Sequence, residues 1–86
     1  MIQVSFKPSF IKQMNKLEYD LVEETLYKID ILKNSNNLTS LKIHKLHGRM
    51  KDKWSFSVNY KIRIVFKYES KKEIVLLAIG DHDLYN

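Results

Sequence analysis

Glu73-Ile74-Val75-Leu76-Leu77-Ala78-Ile79-Gly80-Asp81-His82-Asp83-Leu84-Tyr85-Asn86 opens with an apolar run from Ile74 to Ile79, is stopped by a glycine, and then offers an imidazole and a phenol. A short continuous apolar run bounded by turn residues reads as a strand covered on both faces, the mark of a sheet's central strand. Polar side chains just beyond such a strand stand on a rigid base from which chemistry can be aimed.

Working back from this strand, Glu69-Ser70-Lys71-Lys72 reads as a turn. Ile62, Ile64 and Phe66 alternate with Lys61, Arg63, Val65 and Lys67, and Trp54, Phe56 and Val58 alternate with Ser55, Ser57 and Asn59. Each is the period-two pattern of a strand, and the pair joins tightly around Asn59-Tyr60. Leu41 to Gly48 is a connection with no periodicity, and Gly48 marks a turn. At the other end, Ile2, Val4 and Phe6 alternate with Gln3 and Ser5, so residues 2–6 form a first strand that Lys7-Pro8-Ser9 ends. Pro8 suits the first turn of a helix carrying Phe10, Ile11, Met14 and Leu17. A second helix starts near Glu18 to Asp20 and carries Val22, Leu26, Ile29 and Leu32 until Asn34-Ser35-Asn36-Asn37 stops it. The result is one α+β domain over residues 1–86: an N-terminal strand, a helical hairpin, then a three-stranded antiparallel meander, all in one sheet packed on the helices.

An 86-residue chain supports a single core and no second domain. The absence of cysteine excludes disulfides and thiolate metal sites. No charged-then-apolar leader and no long apolar stretch are found, so the expected location is the cytoplasm, with no membrane partner. The formal net charge of +5 favours a polyanionic partner, and it is unevenly placed. Residues 18–30 hold five acids against Lys28 alone, whereas residues 42–72 hold ten Lys or Arg against Asp52 and Glu69.

If Trp54, Phe56, Ile62, Ile64 and Phe66 lie under the helices, alternation sends Ser55, Ser57, Lys61, Arg63 and Lys67 to an open, basic face. Together with Lys42, Lys45, Arg49, Lys51, Lys53 and Tyr60, this is a candidate platform for single-stranded RNA, held by cations on phosphates and aromatics on bases. A solvated face kept charged for solubility is the plainer alternative. Arg63 is the sharpest member, because a guanidinium clamps two phosphate oxygens at once and keeps its proton. It could instead pair with Asp81 or Glu73.

Metal-free RNA cleavage needs a base for the 2′-hydroxyl, an acid for the leaving oxygen and a cation for the phosphorane. His44, His47 and His82 are the side chains that titrate near neutrality by default, and Asp81 and Asp83 flank His82. The competing constellation, a metal held by His44-x-x-His47 with Asp81-His82-Asp83, is the weaker signal, since adjacent residues on an extended chain point apart. No metal or cofactor is expected.

His44-Lys45-Leu46-His47-Gly48, the Arg-bearing strand Tyr60-Lys61-Ile62-Arg63-Ile64-Val65-Phe66, and the ending Ile79-Gly80-Asp81-His82-Asp83-Leu84-Tyr85 resemble motifs of the RelE/ParE superfamily of bacterial type II toxins. The resemblance spans nearly the whole chain and is nearest to the YafQ-like and RelE-like messenger RNA interferases. It implies that His82 is the principal acid-base residue, Arg63 the phosphate clamp, Tyr85 the terminal aromatic that stacks on a base or positions the scissile nucleotide, and His44 a second acid-base or orienting group. It departs from the YafQ-like pattern at Ser57, where a histidine stands, and at Lys61, where an acid stands. It further implies a cognate antitoxin that masks the site, messenger RNA as substrate, and the ribosome as the place of cleavage. The ParE-like branch, which acts on DNA gyrase, and a non-catalytic RNA-binding module are the alternatives.

Overall fold

The computed structural model of this protein describes residues 2–34, 41–81 and 84. Five strands, β1 (Gln3–Phe6), β2 (His44–Lys45), β3 (Trp54–Ser57), β4 (Arg63–Ser70) and β5 (Glu73–Gly80), form one sheet in the order β1-β5-β4-β3-β2. β1 runs parallel to β5 and every other pair is antiparallel. The apolar run of Ile74 to Ile79 therefore lies inside the sheet, flanked by β1 and β4. Helices α1 (Pro8–Met14) and α2 (Tyr19–Asn34) follow β1 in sequence, with Pro8 in the first turn of α1.

The core gathers Phe10 of α1 and Ile29 and Leu32 of α2 against Phe56, Ile64, Phe66, Ile74, Leu76 and Ile79 of the sheet. Phe56 and Phe66 meet across β3 and β4 with ring centroids 5.7 Å apart and planes tilted by 59°, a geometry that aromatic pairs favour. The acids Glu18, Asp20, Glu23, Glu24 and Asp30 are exposed, as the helical spacing requires. Leu21 and Ile31 pack against the core and widen its stripe, while Tyr27 stays in solvent.

Several expectations are corrected. Leu26 and Ile11, placed on apolar stripes by spacing, are 44% and 43% exposed, and Thr25 takes the inward position on α2. Thr25 can be buried because its hydroxyl donates to the Leu21 carbonyl at 2.7 Å. The segment after Leu41 contains β2, too short to leave a periodic trace, and a 3-10 turn at Gly48–Met50 in which Gly48 adopts φ +67°. The face opposite the helices is not uniformly open. Ser55 and Val65 are fully buried there, and Val75 and Leu46 are buried outside the helix-side core.

β5 is held on its β1 side by two different devices. β1 pairs with β5 as far as Leu76, and the Lys7 amide donates to the Leu76 carbonyl at 3.0 Å. Opposite β4 the register jumps, Val65 facing Ala78 and Phe66 facing Leu76, which leaves Leu77 as the extra residue of a bulge. From there α1 replaces β1: Ser9 Oγ donates to the Leu77 carbonyl at 2.9 Å, and Gln13 Oε1 accepts from the Ile79 amide at 3.0 Å. An unpaired amide there would cost about 1–3 kcal/mol. These contacts fix the strand end from which Gly80 and Asp81 depart. The approach is close, since a Cβ on Gly80 would come within 3.1 Å of the Leu84 side chain.

Candidate functional site

Strand register decides which polar side chains share a face. Ser57 pairs with Arg63 and Arg63 with Gly80, making one row across β3, β4 and β5. His44 pairs with Ser55, Ser55 with Val65 and Val65 with Ala78, making the next row. Residues two apart on a strand lie on the same face, so His44 and Arg63 share the face away from the helices. They are two strand spacings and one row apart, on the order of 10 Å between backbones.

Arg63 Nη1 donates to the carbonyls of Asn59 and, at 3.3 Å, Ile62, so one arm of the fork braces the β3–β4 connection. Asn59 shapes that connection, its Oδ1 accepting from the Lys61 amide at 2.8 Å and the Ile62 amide at 2.7 Å. Of the two carboxylates considered as partners for Arg63, Glu73 accepts from Ser70 Oγ at 3.1 Å at the other end of β4. His44 Nδ1 lies 3.3 Å from the Lys42 carbonyl, and its Nε2 lies 3.2 Å from Ser55 Oγ. A carbonyl can only accept, so Nδ1 carries the proton, and in the neutral ring Nε2 accepts from the serine hydroxyl.

Lys42 itself has φ 53°. That left-handed conformation costs a residue with a Cβ about 1–2 kcal/mol, and departures of this kind collect at functional sites. Lys42 lines a cavity of about 250 Å³ together with Lys28, Ser57, Asn59, Tyr60 and Arg63. Among the described residues three cations and no acid line it. Lys28 is the residue that sequence reasoning missed: in the sequence it is the lone cation among the acids of residues 18–30, and nothing in helical spacing says which turn of the sheet it will meet.

The fold divides the basic stretch that is continuous in sequence. Lys42, Tyr60, Lys61 and Arg63 gather where β4 begins, with Tyr60 89% exposed. Arg49, Lys51 and Lys53 belong to the β2–β3 connection at the other end of β3. There Lys53 Nζ sits 3.1 Å from Asp52, and this hydrogen bond holds the Asp52 carboxyl below its usual range. β3 is four residues long, so the two groups are separated by about 13 Å at 3.3 Å per residue. Lys45 pairs with Trp54, whose side chain packs on the core, so its row belongs to the helix side rather than to the face of His44 and Arg63. His47 is exposed ahead of the 3-10 turn. Among the described residues no three metal-ligating side chains come together, and no helix is long and apolar enough to cross a membrane. His82, Asp83 and Tyr85 lie outside the described residues.

Residues 9–82 match the family profile described as the RelE-like toxin of type II toxin-antitoxin system HigB. The chain belongs to this family of RelE-like toxins. No curated protein matches the toxin at the sequence level. Among solved structures it resembles YafQ from E. coli strain BL21(DE3), with TM-score 0.78 and 17% identity over 98% of this chain and 97% of that one. It also resembles a copper-bound mutant toxin from Helicobacter pylori, with TM-score 0.71 and 22% identity over the full length of both chains. A third match is within the E. coli DinJ-YafQ toxin-antitoxin complex, with TM-score 0.77 and 17% identity over 96% of this chain and 94% of that one. At such identities the likeness is one of fold, and it agrees with the superfamily that the motifs resemble.

Proposed function

We propose that this toxin is an endoribonuclease that cuts messenger RNA on the ribosome, without a metal ion, and leaves a 2′,3′-cyclic phosphate. The observation that carries the reading is the register Ser57–Arg63–Gly80 beside the row of His44. It sets a guanidinium and an imidazole on one face, and the chain that leads to His82 leaves from Arg63's own partner, Gly80. In this reading His82 exchanges protons with the 2′-hydroxyl and the leaving oxygen, and the free arm of Arg63 stabilises the charge that builds on the phosphorane. Tyr85 packs on the scissile nucleotide. Both ring nitrogens of His44 already have protein partners, which favours an orienting role for it over proton transfer. Lys42, Lys61 and Tyr60 hold the strand close to the site, and Arg49, Lys51 and Lys53 hold it further along; Lys45 stands apart from this face.

The toxin acts in the cytoplasm, and a cognate antitoxin covers the basic face until it is removed. The family assignment and the likeness to a chain of a toxin-antitoxin complex support that partner. Inducing the toxin in cells while following messages and plasmid supercoiling tests the reading against gyrase inhibition. Messages should shorten within minutes of induction while topology stays unchanged. Altered topology with intact messages would overturn the proposal.

A further inference from the structure

We propose that the cavity between α2 and the β3–β4 connection is a second phosphate subsite, which holds the phosphodiester next to the scissile one in a single RNA strand. That it takes RNA rests on the reading above; that it takes phosphate rests on the cavity alone. Lys28 from α2, Lys42 ahead of β2 and Arg63 at the start of β4 come from three separate parts of the chain and line one space of about 250 Å³. That volume is below the roughly 300–1,000 Å³ of pockets for drug-sized ligands, and it suits a phosphate with part of its sugar. Like charges brought together repel one another, and a bound anion relieves the repulsion while gaining charge-assisted hydrogen bonds.

Two further features favour a strand of nucleic acid over a free anion. Arg63 stands between two neighbours in its row, Ser57 on the cavity side and Gly80 on the side that leads to His82. A strand that presents one phosphate to the His82 side can therefore offer the next one to the cavity, with Arg63 between them. Tyr60, almost wholly exposed at the cavity rim, supplies a ring face on which a base can stack. The left-handed backbone at Lys42 belongs to the same arrangement, because that residue both lines the cavity and gives its carbonyl to His44.

The test titrates the full-length toxin with inorganic phosphate and with a 2′-O-methyl RNA pentanucleotide that it cannot cleave, and reads backbone amide shifts. Both probes should perturb the amides of Lys28, Lys42 and residues 57–61, and phosphate should compete with the RNA. Lys28→Gln should weaken both by on the order of three- to tenfold and raise the KM for message cleavage while kcat holds. Lys42→Asn, which tolerates the left-handed backbone, should weaken both probes likewise without unfolding the segment. Shifts spread evenly over surface lysines, or a Lys28→Gln toxin with wild-type phosphate affinity and KM, would overturn the subsite even if messages are cut. If both probes bind the cavity and no message is ever cut, the subsite stands and the ribonuclease reading falls.

Discussion

Arg63→Ala and His82→Ala should each lower message cleavage by about 100-fold to 10,000-fold, the usual loss when a group acting in a transition state is removed. For Arg63 the expectation follows from chemistry and placement together. It shares a face with His44, its row neighbour Gly80 begins the segment that carries His82, and a guanidinium stays charged at any working pH. Arg63 also braces the carbonyls of Asn59 and Ile62, so its loss loosens the β3–β4 connection as well. Arg63→Lys separates the two effects. It keeps the charge and loses the fork, and should recover a minor part of the rate while the amide spectrum of residues 57–62 still reports the loosened turn. Near wild-type cleavage by a folded Arg63→Ala or His82→Ala toxin would show that the roles are misassigned, whichever protein does the cutting.

The second large effect concerns affinity. Reversing Arg49 and Lys51 to Glu should weaken binding to single-stranded RNA by roughly tenfold to a hundredfold and flatten its dependence on salt, because each lost phosphate contact removes a released counterion. These residues are exposed in the β2–β3 connection, about 13 Å along β3 from Arg63 at the usual rise per residue. Lys53 is the poorer target because it is engaged with Asp52. Lys71 and Lys72 provide a control of equal charge: they form the β4–β5 turn, at the far end of an eight-residue strand from Arg63. Filter binding across a salt series measures both. Equal losses from the two reversals would mean that net charge, rather than a path along this face, governs the affinity.

Long periodic segments made most of the fold legible in the sequence. β1, β3, β4, β5 and both helices follow from alternation or helical spacing, and the unbroken run Ile74 to Ile79 marks the interior strand. What escaped was set by tertiary pairing. β2 is two residues long, and only its pairing with Ser55 and Trp54 makes His44–Lys45 a strand. The parallel pairing of β1 with β5 and the relay of Ser9 and Gln13 beyond Leu76 leave no local pattern. Alternation placed Ser55 on an open face, yet it is buried, as is Val65 beside it, because a strand pattern gives sidedness and not what covers each side. The same limit applies to the site. Residue type singled out Arg63 and His44, but charge counted along the chain merged cations that the sheet separates, and it passed over Lys28, which the fold brings to Arg63.

The chemistry of the cut ends tests ribonuclease action most directly. Translating ribosomes are incubated with purified toxin, and the 3′ ends of the message fragments are analysed. In-line attack by the 2′-hydroxyl, with an imidazole and a guanidinium in attendance, leaves a 2′,3′-cyclic phosphate and a 5′-hydroxyl, and these ends should vanish with His82→Ala. Fragments ending in a 3′-hydroxyl, or messages that stay whole while translation stops, would contradict it.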